Sequence, residues 1–250
     1  MTFSTDALLD AFTQAEIVDL SVILEEGAPI WPTHPPLIIH KTVTHERHGY
    51  FTNSIFMPEH IGTHCDAPAH AVPAMADATI DLMPLEQMIG PACVIDVSDR
   101  KLEGGDMLTA VDIEGWEAEH GPIRAGDIVL INFGWLARHW RTDVQARYYV
   151  TNQPGLDESA VRILHDRGIK ALGSDNTNVE TPIRNGEMLN PGFAHTKYFL
   201  PNGLPLIESL ANLEKLPPRC LFICLPLKIK GGSGSPVRPI AVVPRQSTYQ

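Results

Sequence analysis

Hydrophobic positions along this chain fall into short blocks whose period shifts between that of a helix and that of a strand. Over residues 5–15, Leu8, Leu9 and Phe12 lie close to one helical face behind Ser4 or Thr5 as a cap, which predicts a short peripheral helix. Ile17 to Ile23 reads as a strand, and Leu37–Val43 and Phe51–Met57 read as two more. Between the first two lies Pro29-Ile30-Trp31-Pro32-Thr33-His34-Pro35-Pro36, too rich in proline for regular structure. Ile80–Leu85 reads as a loop or short turn. Ala92–Val97 and Asp127–Phe133 are apolar strands flanking a helix over Thr109–His120, with Thr109 as N-cap and Gly121-Pro122 as its stop. Asp157–Arg167 patterns as an amphipathic helix closed by Gly168, and Ile169–Leu172 follows as a buried strand. Leu221–Leu227 and Ile240–Val243 are the last strands. The β-α-β rhythm of the middle predicts an α/β fold.

At 250 residues the chain is long enough for one sizeable core, so a single domain over 1–250 is expected. The net charge of −11 argues against nucleic-acid partners and anionic membrane surfaces. An acidic substrate stays open, because a bound cation reverses the local field. The first residues carry no positive n-region, and no apolar run approaches the length of a membrane span. A cytoplasmic protein is expected. Cys65, Cys93, Cys220 and Cys224 form no Cys-x-x-Cys pair and read as small core residues rather than a disulfide framework.

Chemistry concentrates in His60-Ile61-Gly62-Thr63-His64-Cys65-Asp66-Ala67-Pro68-Ala69-His70. Imidazole and carboxylate together suit Zn²⁺ or Mn²⁺. On an extended strand His60 and His64 would lie roughly 13 Å apart, too far to share an ion. A helical turn or a tight bend at Gly62 brings such positions to about 6 Å. Because Pro68 breaks a helix, a short turn running into a loop is expected. The competing reading is a set of scattered surface histidines. Cys65, at an odd position among the candidate donors, is expected to point away. His45-Glu46-Arg47-His48 is one residue short of the His-Glu-x-x-His spacing of a helical zinc site and reads as a charged turn.

Four further features carry open alternatives. Trp31, in its stiff loop, is either a wall for an aromatic ligand or a plug beneath the loop. Gly173-Ser174-Asp175-Asn176-Thr177-Asn178 ends a strand, where α/β folds often contact ligands, or is a plain loop. Glu208, in the apolar Leu206–Leu210, is paired, protonated, bound to a cation, or exposed at an edge. Gly231–Pro236 has a linker's composition but lies between apolar strands, which favours a tight loop. It lacks the Gly-Lys-Ser/Thr ending of a P-loop.

The pattern His60-x-Gly62-Thr63-His64-x-Asp66-x-Pro68-x-His70 resembles the signature of the metal-dependent cyclase-family hydrolases, which include kynurenine formamidases (arylformamidases) and isatin hydrolases. Ser209–Pro217 and Gly232–Arg238 look like that family's closing segments, and Thr109–Gly126 looks like isatin hydrolase. The resemblance implies a swivelling β/β/α domain and a homo-oligomer, a dimer or built on dimers. It implies His60, His64 and Asp66 as metal ligands, with His195 and Glu208 for a second ion, and His70 as general acid/base. Trp31 matches an aromatic residue that packs on substrate. The isatin hydrolases lack a carboxylate at the position of Glu208 and work with one manganese, so Glu208 points toward two ions.

The activity so implied is hydrolysis of the C–N bond of a small amide, formamide or lactam, with one or two zinc or manganese ions. A lactone hydrolase on the same site, or a metal- or ligand-binding protein without turnover, are the alternatives. No Gly-x-Ser-x-Gly elbow is present to support a serine nucleophile.

Overall fold

The computed structural model describes residues 4–245. Helix α1 spans Thr5–Gln14, with the Ser4 hydroxyl accepting the Ala7 N–H at 3.1 Å, and it buries none of its residues. It is peripheral, as expected. Strand β1 (Ala15–Asp19) begins and ends earlier than the hydrophobic run suggests. Leu20 leaves the strand geometry, donating its N–H to Pro239 O and accepting from Ala211 N–H. Strands β2 (Ile38–Val43) and β3 (Thr52–Phe56) form a separate antiparallel hairpin whose residues are mostly exposed. His45–His48 between them is an exposed helical turn closed by Gly49 at φ +79°, not an irregular one.

The remaining long-range strands are β4 (His64–Asp66), β5 (Ile89–Asp96), β6 (Ile128–Asn132), β7 (Ala171–Ser174), β8 (Leu206–Glu208), β9 (Arg219–Ile223), β10 (Gly234–Pro236) and β11 (Ile240–Pro244). With β1 they make one nine-stranded sheet in the order β1-β11-β9-β5-β6-β7-β8-β4-β10. Pairing is parallel from β5 through β8 and antiparallel elsewhere. Helices α2 (Ala110–His120), α3 (Trp135–His139) and α4 (Glu158–Asp166) lie in the crossovers that parallel pairing requires. Asp112 accepts the Thr109 N–H at 2.6 Å, and Asp157 accepts the Ala160 N–H at 2.9 Å, so both long crossover helices start at the residues the sequence marks.

Alternation along the strands builds two cores. Cys93 and Ile95 of β5 and Val129 and Ile131 of β6 face α2 and α4, where they meet Ile113, Trp116, Val161 and Leu164. Ala92, Val94, Ile128 and Leu130 point the other way, into a cluster that also holds Val18, Phe222, Ala241 and Cys65. That cluster draws on strands from both ends of the sheet, which is therefore curled. Cys220 and Cys224 join this second core, and all four cysteines are free.

One buried carboxylate makes the fold sensitive to pH. Asp175, just past β7, accepts N–H groups from Phe133 at 2.8 Å and Leu136 at 3.1 Å and so anchors the start of α3. Burial pushes its carboxyl up to about 6 from 3.8, against the pull of those backbone bonds. A raised folded-state value means the native protein holds the proton more tightly. That stability is present below about pH 4 and is lost as pH rises through about 6. Measured against Asp175→Asn, the wild-type protein is expected to lose about 3 kcal/mol between roughly pH 4 and pH 7 in denaturant titrations. A pH-independent difference would remove Asp175 as the cause.

Candidate metal centre

His64, Cys65 and Asp66 form β4, a short strand in the main sheet rather than the expected loop. Antiparallel pairing with β8 sets Glu208 directly opposite His64. Because alternate strand residues share a face, His64, Asp66 and Glu208 meet on one side while Cys65 enters the core on the other. Gly62 supplies the bend at φ +58°, and a Cβ there would stand 2.6 Å from Leu24 Cδ2. That bend brings the rings of His60 and His64 to 5.3 Å, the proximity an extended chain forbids. His195 arrives from a single π-helical turn, Ala194–Tyr198.

The three candidate imidazoles share one arrangement. His60 Nε2 lies 2.8 Å from Ser233 Oγ, and that hydroxyl donates to Glu59 Oε2 at 2.7 Å, so the ring nitrogen must be its donor. His64 Nδ1 donates to Gly62 O at 2.9 Å. His195 Nδ1 faces Glu180 Oε1 at 2.7 Å. In each ring the outward nitrogen is thus a donor, which leaves the inward nitrogen to face the pocket.

Those inward nitrogens point at carboxylate oxygens. His60 Nδ1 is 2.7 Å and His64 Nε2 3.6 Å from Asp66 Oδ1, while His195 Nε2 is 3.2 Å from Asp66 Oδ2. Glu208 adds Oε2 at 3.4 Å from His64 Nε2 and Oε1 at 3.7 Å from His195 Nε2. Asp66 is 1% and Glu208 4% exposed, so both carboxylates are shut off from water and are met by protons on the inward nitrogens or by a cation. The donor set of imidazole and carboxylate suits a divalent transition ion. Ligand atoms of His60, His64 and Asp66 all lie within 4.8 Å of one another, and so do those of Asp66, His70 and His195.

The protein's own charges respond accordingly. Burial pulls the His64 imidazole down to about 4, keeping it a neutral donor. His195 is held well above its usual range: burial opposes its charge, but the Glu180 and Asp66 carboxylates outweigh it. Burial would raise Asp66, yet its bonds to His195 and His60 keep it well below the carboxylate range. Glu208 moves up, through burial and then through the Asp66 charge beside it.

The cluster lies in a cavity of about 420 Å³ with no lysine or arginine among its described lining residues. His70, on a 3-10 turn after Pro68, stands exposed at the mouth with its ring 3.9 Å from that of His60. Burial against the site lowers its pKa, which favours the neutral base. Trp31 lines the cavity and also packs on the helix-side core. All five expected donors and His70 come together. Glu180, Glu59 and Ser233 escape the sequence reading, although Ser233 sits in the loop singled out at Gly231–Pro236 and Glu180 follows the polar stretch ending at Asn178. Thr177 and Asn178 from that stretch do line the cavity.

Known proteins share this arrangement's framework. An isatin hydrolase from Roseibium aggregatum is 33% identical over 248 residues, covering 93% of each chain. A kynurenine formamidase from Salinibacter ruber is 27% identical over 227 residues, covering 90% of this chain and 96% of its own. The crystal structure of an isatin hydrolase bound to the product analogue thioisatinate superposes with a TM-score of 0.87 at 30% identity, over 97% of this chain and all of that one. The cyclase family model matches residues 18–181. The chain belongs to the cyclase family.

Proposed function

We propose that this chain, read as one domain over residues 1–250, is a metal-dependent hydrolase that cleaves the C–N bond of a small aromatic amide, formamide or lactam. The observation that carries the reading is the set of three outward-pinned imidazoles whose inward nitrogens converge on two buried carboxylates. His60, His64 and Asp66 would hold one zinc or manganese ion, and His195 and Glu208, with Asp66 between, a second. Bound there, a divalent ion lowers the pKa of a water ligand toward about 7 and polarises a carbonyl. His70 takes the water proton and returns it to the leaving nitrogen, for which its position at the mouth and its lowered pKa suit it. Unlike the other three, the His70 ring has no hydrogen-bond partner among the described residues to fix it as a ligand. Trp31, Ile30, Ile61 and Met188 give the cavity an apolar side for a flat ring. The relatives, isatin hydrolase and kynurenine formamidase, support that substrate class.

The chain is further read as a cytoplasmic homo-oligomer, dimeric or built on dimers. Free thiols suit a reducing compartment. Among the described residues no helix is long and apolar enough to cross a membrane. The β2–β3 hairpin leaves Ile38, Ile55 and Phe56 about half exposed (48, 59 and 57%), and a lone two-stranded hairpin is marginal in water.

The test is a proton-release assay with purified protein given Zn²⁺ or Mn²⁺ and, in turn, N-formylkynurenine, isatin, a simple lactone and a cyclic imide. Metal-dependent turnover of an arylformamide or a cyclic amide is expected. Turnover of the lactone alone would move the reading to ester chemistry, and silence across the panel with metal bound would favour a binding protein.

A further inference from the structure

We propose that Glu180 is the positioning residue for His195, fixing the imidazole so that Nε2 faces the metal pocket and thereby setting the affinity for the ion held there. The inference rests on the metal-dependent reading above. Glu180 is fully buried, and its Oε1 accepts twice from the same residue, from the ring Nδ1 at 2.7 Å and the backbone N–H at 3.3 Å. One carboxylate oxygen therefore fixes both the ring and the backbone that carries it. No lysine or arginine forms an ion pair with Glu180 among the described residues; its only ionic partner is His195. A carboxylate that accepts from Nδ1 of an imidazole fixes the ring's orientation and raises the basicity of its far nitrogen toward an ion held there.

The surrounding chain holds the backbone on either side of Glu180 in place. Gln153, fully buried, donates from Nε2 to Asn178 O and Thr181 O and accepts from the Thr177 N–H and hydroxyl, gripping the segment on both sides of Glu180. A Cβ on Gly155 would stand within 2.7–3.0 Å of the backbone of Pro182, Thr181 and Glu180, so that strand presses the segment from behind. Gly192 at φ +66° leaves the space in front, where a Cβ would come within 3.2 Å of Glu180 Oε1. The residue touches neither the cavity nor a substrate, so its effect passes entirely through His195.

The experiment is equilibrium dialysis of Mn²⁺ with the full chain as wild type, Glu180→Gln, Glu180→Ala, His195→Ala, Asp66→Ala and the double variant Glu180→Gln/His195→Ala. Glu180→Gln keeps the shape and an acceptor oxygen, and is expected to weaken binding of one ion about 10-fold. Glu180→Ala is expected to weaken it about 10- to 100-fold; should that variant fail to fold, the glutamine variant decides. Once His195 is alanine, Glu180→Gln should cost nothing more, because its effect has lost its carrier. Wild-type affinity in the glutamine variant, or additive losses in the double variant, overturns the proposal. Full metal content in Asp66→Ala overturns instead the reading on which it rests.

Discussion

Replacing Asp66 with alanine is expected to strip the protein of metal and abolish turnover. Asp66 is the one side chain in contact with all three candidate imidazoles, Oδ1 serving His60 and His64 and Oδ2 serving His195. Its loss therefore removes a donor from both halves of the cluster at once. The fall in metal affinity is expected to exceed the about 10- to 100-fold that a change one layer further out produces. Asp66→Asn keeps the size and one acceptor oxygen but not the charge, and should bind metal between the alanine variant and wild type. Metal content by elemental analysis after dialysis reads both. Full metal content in Asp66→Ala would break the assignment.

His70→Ala gives the opposite signature: metal stays and turnover falls by about 10²- to 10⁴-fold, the range for loss of a positioned acid/base group. The imidazole is kept neutral by burial against the site, with the charge of His195 acting in the same direction, so it is ready to accept a proton near neutral pH. Its ring is steadied by stacking on His60 at 3.9 Å rather than by a hydrogen bond. Comparison of kcat with metal stoichiometry separates the two possible roles of this residue, because His70 also lies within reach of Asp66 and His195. Loss of metal in His70→Ala would make it a ligand; an unchanged rate would take it out of the mechanism.

The candidate donors were readable in the sequence because four of the relevant residues crowd into eleven positions, with Gly62 and Pro68 marking where the backbone must turn. The form of that turn was not readable. A three-residue strand such as β4 has no period to detect, and its stability comes from pairing with β8 and β10, segments more than a hundred residues away. The end of β1 was misjudged for a related reason: Leu20 and its successors are apolar enough for a strand but make their backbone bonds to a loop. The long crossover helices were legible to within a residue, since Thr109 and Asp157 cap them locally. Glu180 and Ser233 carry no local signature at all. Each matters only through a contact the fold creates, 15 residues away for Glu180 and 173 for Ser233.

Those separations govern when the centre comes into being. Asp66 meets His195 across 129 residues, and His60 reaches its hydroxyl partner only after the ribosome has made nearly the whole chain. Contacts so distant in sequence close slowly, since the chain entropy must be spent before they form. During synthesis, the early histidines can gather no more than a loose, partial set of donors. Tight uptake of an ion must wait for β8 and β10 to flank β4. Metal acquisition is thus a late step in the birth of the molecule, and a truncated nascent chain should hold its ions weakly or not at all.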